Sequence, residues 1–354
     1  MKRLDRYVAT QVLSAIFIVL LVILGLDFVF AFMDEIADAT DAYNMPVIME
    51  YLLLRVPGRF YEFLPLSSLV GCLVGLGMLA SHSELTVMRA AGISTLRIIT
   101  SVLKPAIVLA FFSMAVGEFV VPVTEQVAQS KKALAKAGGK ALHSQYGVWH
   151  REGNTFIHIN AVVPGGRIEG VTRFEFDERG VLEVSSFAQS GRYLQDHWLL
   201  SNISKTTFNG DSTEVSQQRN EQWSLGLSPE LLSALVVEPR DLSLSALWSF
   251  SHYLYQQDLQ ADSYFLAFWS KLFQPLTVIA LVLIGILFIF GPLRSVTVGQ
   301  RIIAGVITGL VFKFLQDILG QVSAIIGTPP LIAVLAPIVI CLLLGLFLLQ
   351  RSKV

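Results

Sequence analysis

Cysteine is scarce. The 354-residue chain has two, Cys72 and Cys341, and both fall inside apolar runs. With none in the polar middle of the chain, no disulfide framework holds that part together. Charge is scarce as well: 15% of residues are charged and the formal net charge is −1, which gives no reason to expect nucleic acid as a partner. No G-x-x-x-x-G-K-[ST] occurs; Gly138-Gly139-Lys140 lacks the earlier glycine and the hydroxyl residue, so the chain has no nucleotide site of its own. The histidines His82, His143, His150, His158, His197 and His252 lack metal-ligand spacing, and each is expected to be a surface or sheet residue. A nucleophile elbow, a low-complexity linker and a strong internal repeat are also missing.

What the chain has is apolar length. It is 53% hydrophobic, with apolar runs at residues 12–33, 64–80, 98–121, 265–290, 302–326 and 331–349. A spanning helix needs roughly 20 such residues. The runs fall three and three around a polar block at 123–264, which predicts an α-helical membrane protein with six transmembrane helices and an inserted β domain. The division is 1–122, 123–264 and 265–354. The first run exceeds the roughly 7–15 residues of a signal h-region and is followed by acids, so it is read as a retained helix despite Ala37-Asp38-Ala39. Residues 47–59 are expected to lie along the outer surface before Pro65 starts the second span. Lys2, Arg3, Arg6, Arg89, Arg97, Arg294, Arg301, Arg351 and Lys353 fall on one side, and Asp34, Glu35, Asp38 and Asp41 on the other. By the positive-inside rule both termini are cytoplasmic and the polar block faces outward.

The block opens with a helical stretch at 124–137 that Gly138-Gly139 should end. Strands are expected at 154–160, 171–177, 181–188, 191–195, 197–203 and 205–208, separated by turn signals such as Pro164-Gly165-Gly166 and Asn209-Gly210-Asp211. This predicts a sandwich or jelly roll. A short amphipathic helix at 245–257 leads back to the membrane.

Ionisable residues inside spans are costly and mark function. Asp27, Glu118, Lys271, Lys313 and Asp317 lie in the middle to outer parts of their spans, and Arg55, Arg59 and Glu62 guard the outer approach to the second. Lys104 alone lies toward the cytoplasm, close enough to snorkel. A cargo that crosses the whole membrane should need polar groups at every depth. Furnishing only the outer level suits an amphiphile already in the outer leaflet; mutual neutralisation, of Lys313 by Asp317 at i, i+4 and of Arg59 by Glu62, is the bland alternative. Small residues four apart, Gly71 and Gly75 in the second span and Gly305 and Gly309 in the fifth, allow close helix packing, within the chain or between subunits. Between spans two and three, residues 81–92 carry capping-box spacing (Ser81, Glu84) and a stop at Gly92. The resulting short helix bears Leu85, Val87 and Met88, and belongs on a membrane surface or in another protein's groove.

Several motifs resemble one family. They are Leu4-Asp5-Arg6-Tyr7, Gly75-Leu76-Gly77-Met78-Leu79-Ala80, Ser83-Glu84-Leu85 with Val87-Met88 and Gly92, Trp269-Ser270-Lys271-Leu272-Phe273-Gln274-Pro275-Leu276, and Phe290-Gly291-Pro292-Leu293-Arg294-Ser295. Together they resemble the lipopolysaccharide export permeases, LptF/LptG, and the last favours the LptG branch. The resemblance covers the chain and implies six helices with a periplasmic β-jelly roll. It implies a LptF partner, a LptB ATPase dimer holding ATP and Mg²⁺, LptC, and lipopolysaccharide and membrane lipids as contacts, with no cofactor in this chain. Ser83, Glu84, Leu85, Val87, Met88 and Arg89 would form the ATPase-coupling helix. Asp27, Arg55, Arg59, Lys132, Lys271, Lys313 and Asp317 would be the lipid-binding candidates. Where some relatives carry lysines at the outer end of the first helix, this chain has Ala31, Ala37 and Asp38, so that role would pass to Arg55, Arg59 or Lys132. The rival readings are a membrane-anchored lipid-modifying enzyme, which needs a catalytic cluster in the β domain, and an assembly scaffold, in which charge changes at Arg59 or Lys313 would be silent.

Overall fold

The computed structural model describes residues 3–137, 148–163, 166–194, 197–210, 212–223, 229, 232, 237–256, 261–290 and 296–351. The expected helix stop at Gly138-Gly139, the Pro164-Gly165 turn, His143, Lys2, Lys353 and the Gly291–Ser295 part of the last motif, with Arg294, lie outside them. In chain order the helices are α1 (Arg3–Ala37), α2 (Met45–Ser81), α3 (Glu84–Ala90), α4 (Thr95–Ala115), a π-helical segment (Val116–Val120) and α5 (Val121–Ala137). After the strands come α6 (Leu244–Gln256), α7 (Asp262–Phe290), α8 (Val298–Ile326) and α9 (Pro330–Arg351). They divide into two units, Met1–Val29 with Val56–Val120 and Ser243–Val354, and Phe30–Arg55 with Val121–Leu242.

Among the described residues five helices, Arg3–Ala37, Met45–Ser81, Thr95–Lys136, Asp262–Phe290 and Val298–Ser323, are long and apolar enough to cross a membrane, and Pro330–Gly345 is a shorter apolar helix. In the first unit α2 and α7 are central, with 67% of their apolar windows buried, against 11% for α1 and 17% for α8. The core joins Leu69, Leu73 and Leu76 of α2 to Val102 of α4 and Val278, Leu281 and Val282 of α7. Phe17, Leu21 and Leu26 on α1 and Ile307, Val311 and Phe314 on α8 stay exposed. Buried packing residues are thus inside α2 and α7, while α1 and α8 keep apolar outer faces.

The expected surface segment at 47–59 does not form as a separate piece: it is the first part of α2, which runs unbroken through Pro57 and Pro65. A proline removes the N–H that would bond the carbonyl four residues earlier. For Pro65 that carbonyl belongs to Tyr61, and it accepts a hydrogen bond from Gln274 Nε2 of α7 at 2.7 Å. A neighbouring side chain therefore satisfies the group the proline orphaned, which is what keeps such helices intact in apolar surroundings. Tyr61 is held on its other side as well, because Gly117 of the π segment packs on its ring so closely that a Cβ there would lie 2.5 Å from it.

The glycine pairs pack within the chain. A Cβ on Gly71 would sit 2.3 Å from the Ile16 backbone, and one on Gly75 2.9 Å from that of Val12, so α1 and α2 touch main chain to main chain. Gly305 and Gly309 instead receive the side chains of Leu73 and Leu66 of α2, with no room for a Cβ.

In the second unit β1 (Val148–Glu152), β2 (Thr155–Val163), β3 (Arg167–Phe176), β4 (Leu182–Leu194), β5 (His197–Asn209) and β6 (Ser212–Trp223) form one antiparallel sheet in sequence order. Its core holds Ile157, Ile159, Val171, Ala188, Trp198 and Ile203. α5 packs on β2, where Ser130 donates to the Val162 carbonyl. The predicted strands at 154–160 and 171–177 are there. Those at 181–188 and 191–195 are one strand, as are those at 197–203 and 205–208. Gly191 does not break β4, because it lies against Ile168 and Leu200 with no room for a Cβ. β6 escapes a pattern-based reading because it is exposed along nearly its whole length and has no apolar face to alternate.

Gln274→Leu is expected to leave the Tyr61 carbonyl unpaired and to lower stability in detergent by about 1–3 kcal/mol, read as a fall in the thermal unfolding midpoint. An unchanged midpoint would show that the bond does not support α2.

Candidate functional site

The residues singled out in the sequence separate into three groups. In the first unit Arg59 of α2 lies 3.4 Å from Asp27 of α1 and 2.8 Å from Glu62 one turn on. Glu62 also meets Lys313 of α8 at 3.5 Å. Lys313 therefore pairs with Glu62 of another helix and not with Asp317, which is exposed on α8. Two cations and two carboxylates from three helices form a chain that sums to zero. Lys271 of α7 is buried with its ammonium 5.7 Å from the Tyr61 ring centre, a cation–π arrangement. Glu118 takes no part; its carboxylate accepts the backbone N–H of Leu244 at 2.7 Å and caps the start of α6.

The second group is the loop helix. The capping box does not form: Ser81 ends α2 and its hydroxyl bonds the Met78 carbonyl, while α3 is entered through Ser83 in a left-handed conformation at φ 60°. The stop is as predicted. Gly92 has φ +82°, Ile93 N–H bonds the Met88 carbonyl and Gly92 N–H that of Arg89, a Schellman closure. Its apolar side chains differ in burial. Leu85 and Met88 are sunk in the chain's own core, whereas Val87 is 65% exposed. Ser83 and Arg89 are also exposed, and Glu84 lies near the Tyr7 hydroxyl of α1. Arg301, buried at the start of α8, donates to the Gly77 carbonyl at 2.7 Å and fixes the last turns of α2 before this loop.

The third group lies in the second unit. Lys132 of α5 is 2.6 Å from Glu35 of α1 and 4.6 Å from the Tyr51 ring centre, and Lys136 is 2.7 Å from Asp38. Lys131 pairs with Glu50. Arg55 of α2 lies 3.1 Å from the buried Glu125 of α5. Tyr43 donates its hydroxyl to Glu35 at 2.9 Å. Sequence reasoning reached Arg55 and Lys132 but missed Glu35, Glu125 and Lys136 as their company. The signal was legible in part: Lys132 and Lys136 are one helical turn apart, as are Glu35 and Asp38 within one residue. Of the histidines, His150, His158 and His197 are in strands β1, β2 and β5.

The family model described as "Lipopolysaccharide export system permease LptF/LptG" matches residues 6–351. The chain is 36% identical to lipopolysaccharide export system permease protein LptG of Escherichia coli K12 over 354 residues, covering 99% of this chain and 98% of that protein. It is 33% identical to the protein of the same name from Haemophilus influenzae over 353 residues, with 99% of each covered.

Asp241 closes the site's ledger of charge. It lies half-buried, and burial first, then the negative charge of Glu125, lifts its carboxyl to about 6, against the pull of Arg240 and Arg55. The unfolded value is near 4, so the folded unit binds this proton more tightly than the unfolded chain. Its cost to stability is present above pH about 6 and disappears as pH falls toward about 4. Asp241→Asn is expected to protect the second unit at neutral pH by on the order of 2 kcal/mol and to flatten this part of its pH dependence. Hydrogen exchange of the sheet amides, corrected for the intrinsic rate, measures both.

Proposed function

The chain belongs to the LptF/LptG family of lipopolysaccharide export permeases, and from that membership we propose that it is the non-hydrolysing transmembrane subunit of an ABC transporter in the bacterial inner membrane. It takes lipopolysaccharide from the periplasmic leaflet and passes it to a periplasmic bridge toward the outer membrane. Residues 1–122 and 265–354 form the spanning halves, six helices in all with both termini cytoplasmic. Residues 123–264 form the periplasmic part, its strands curled as a jelly roll. The partners are LptF as the paired permease, LptC, and a LptB dimer that binds ATP and Mg²⁺ and does the hydrolysis. The observation that carries this reading is the family match along nearly the whole length, residues 6–351.

The geometry supports a role for the charges. Lipopolysaccharide presents phosphates, and Arg55, Arg59, Lys132 and Lys313 each already hold a carboxylate. A phosphate can displace a carboxylate from lysine because it offers more negative charge and more acceptor oxygens to the same donors. Lys132 is thus an exchangeable contact: Glu35 holds it when cargo is absent and lipid phosphate takes it when cargo arrives. Asp27, Glu62, Arg59 and Lys313 supply a second exchangeable set.

The loop helix supplies the coupling. Leu85 and Met88 anchor α3 to its own subunit, and Ser83, Val87 and Arg89 present the outer face to the ATPase. Motion of the ATPase then reaches α2 and α8 through the Gly77–Arg301 bond.

Depletion of the protein should make lipopolysaccharide accumulate in the inner membrane. In liposomes with the partner subunits, Lys132→Ala should weaken lipopolysaccharide-stimulated ATPase activity by about tenfold, the scale of one lost charge-assisted bond of 1.5–3 kcal/mol, and Glu35→Gln should strengthen lipopolysaccharide capture. Equal behaviour of both variants and the parent would remove Lys132 from the lipid path. For the coupling helix, Val87→Asp should reduce co-purification of the ATPase while insertion and the thermal midpoint stay unchanged. Full retention of the ATPase would refute docking through this face.

A further inference from the structure

The first unit contains one more feature that the transport reading does not use. Between α1 and α4, toward the helix ends that carry Arg3, Arg6 and Arg97, lies an open groove of about 530 Å³, within the roughly 300–1,000 Å³ of small-ligand sites. Its walls are Ala9 and Leu13 of α1 with Pro105, Val108, Leu109 and Phe112 of α4. Two cations, Arg6 and Lys104, line the same groove, and both are exposed.

The electrostatics of this groove are one-sided. Asp5, next to Arg6 in the chain, is held by Arg97, Nε at 3.0 Å and Nη2 at 3.4 Å, and by the Ser101 hydroxyl at 3.3 Å. That contact ties α1 to α4. Neither Arg6 nor Lys104 has an ion-pair or side-chain hydrogen-bond partner among the described residues. Lys104 is nine residues into α4, roughly 14 Å along the helix, amid side chains such as Val108 at 70% exposure. An ammonium at that depth must reach an anion or water along its stem.

We propose that this groove is a binding site for an anionic glycerophospholipid, with an acyl chain lying along Leu13, Val108 and Phe112 and the phosphate held by Arg6 and Lys104. In the orientation proposed above the lipid comes from the cytoplasmic leaflet, the opposite side from the cargo. The site goes beyond the transport reading and stands or falls without it. A lipid fits where a partner helix does not: a second helix of apolar side chains would leave both cations unanswered, whereas a phosphodiester above hydrocarbon answers the charge and the apolar wall together. α1 and α4 are tied at their basic ends by Asp5 and Arg97, so the walls are fixed before the lipid arrives.

The test uses the assembled complex in nanodiscs of mixed phosphatidylglycerol and phosphatidylcholine, with retained lipid counted by native mass spectrometry. The parent should retain phosphatidylglycerol in preference to phosphatidylcholine. Arg6→Glu with Lys104→Glu should reduce that preference by roughly thirtyfold, the contribution of two basic residues at a headgroup. Val108→Trp, which fills the groove and keeps both charges, should expel the lipid and guards against misfolding of the double variant. A photoreactive residue at position 13 should label phosphatidylglycerol. Equal retention of both lipids by the parent, unchanged retention in Val108→Trp, or labelling of a protein chain or of lipopolysaccharide in place of phospholipid would each overturn the proposal.

Discussion

A charge set among apolar helices loses several kcal/mol of hydration unless an opposite charge or a set of donors stands beside it. That constraint organises this molecule. Asp27, Arg59, Glu62 and Lys313 answer one another across three helices, and Asp5 answers Arg97 across two. In the second unit Glu35 answers Lys132 and Glu125 answers Arg55. Each pair joins residues far apart in sequence or on different helices, apart from the Arg59–Glu62 turn. The pairs therefore hold the helices in register.

The same demand for partners applies to the backbone. Prolines within long apolar helices free carbonyls that water cannot reach, and the chain meets one such case with a glutamine on a neighbouring helix. Tyr61 is the meeting point: its carbonyl takes Gln274, its ring faces Lys271, and Gly117 of the π segment leans on it. π segments are rare and cluster at functional sites. The Lys271-to-Pro275 stretch of α7, prominent among the family motifs, thus has a physical role in supporting α2.

Much of the architecture was legible in the sequence because it is local. Twenty apolar residues in a row, alternation in Phe174 and Phe176 against Arg173 and Glu175, and a positive-φ glycine at 92 each declare themselves without knowledge of distant residues. β6 did not, because a strand exposed on both faces carries no alternation. The continuity of α2 did not either, since two prolines and two arginines locally argue for a break. The loop helix was half legible. Its existence and its stop follow from spacing, but periodicity treats Leu85, Val87 and Met88 alike, and only packing buries two and exposes one.

By itself the sequence determined the long apolar helices, the inserted strand-rich block and the family motifs, because hydrophobicity and periodicity are properties of short windows. Tertiary structure alone decided which charge meets which, why Lys313 turns to Glu62 and leaves Asp317, and that the four interhelical glycines serve contacts inside the chain. Those outcomes depend on the distance between atoms tens to hundreds of residues apart. Hydrogen-bonded ion pairs and close packing both need contact distances of a few ångströms, so a list of residues cannot rank the possible partners until the helices are in place.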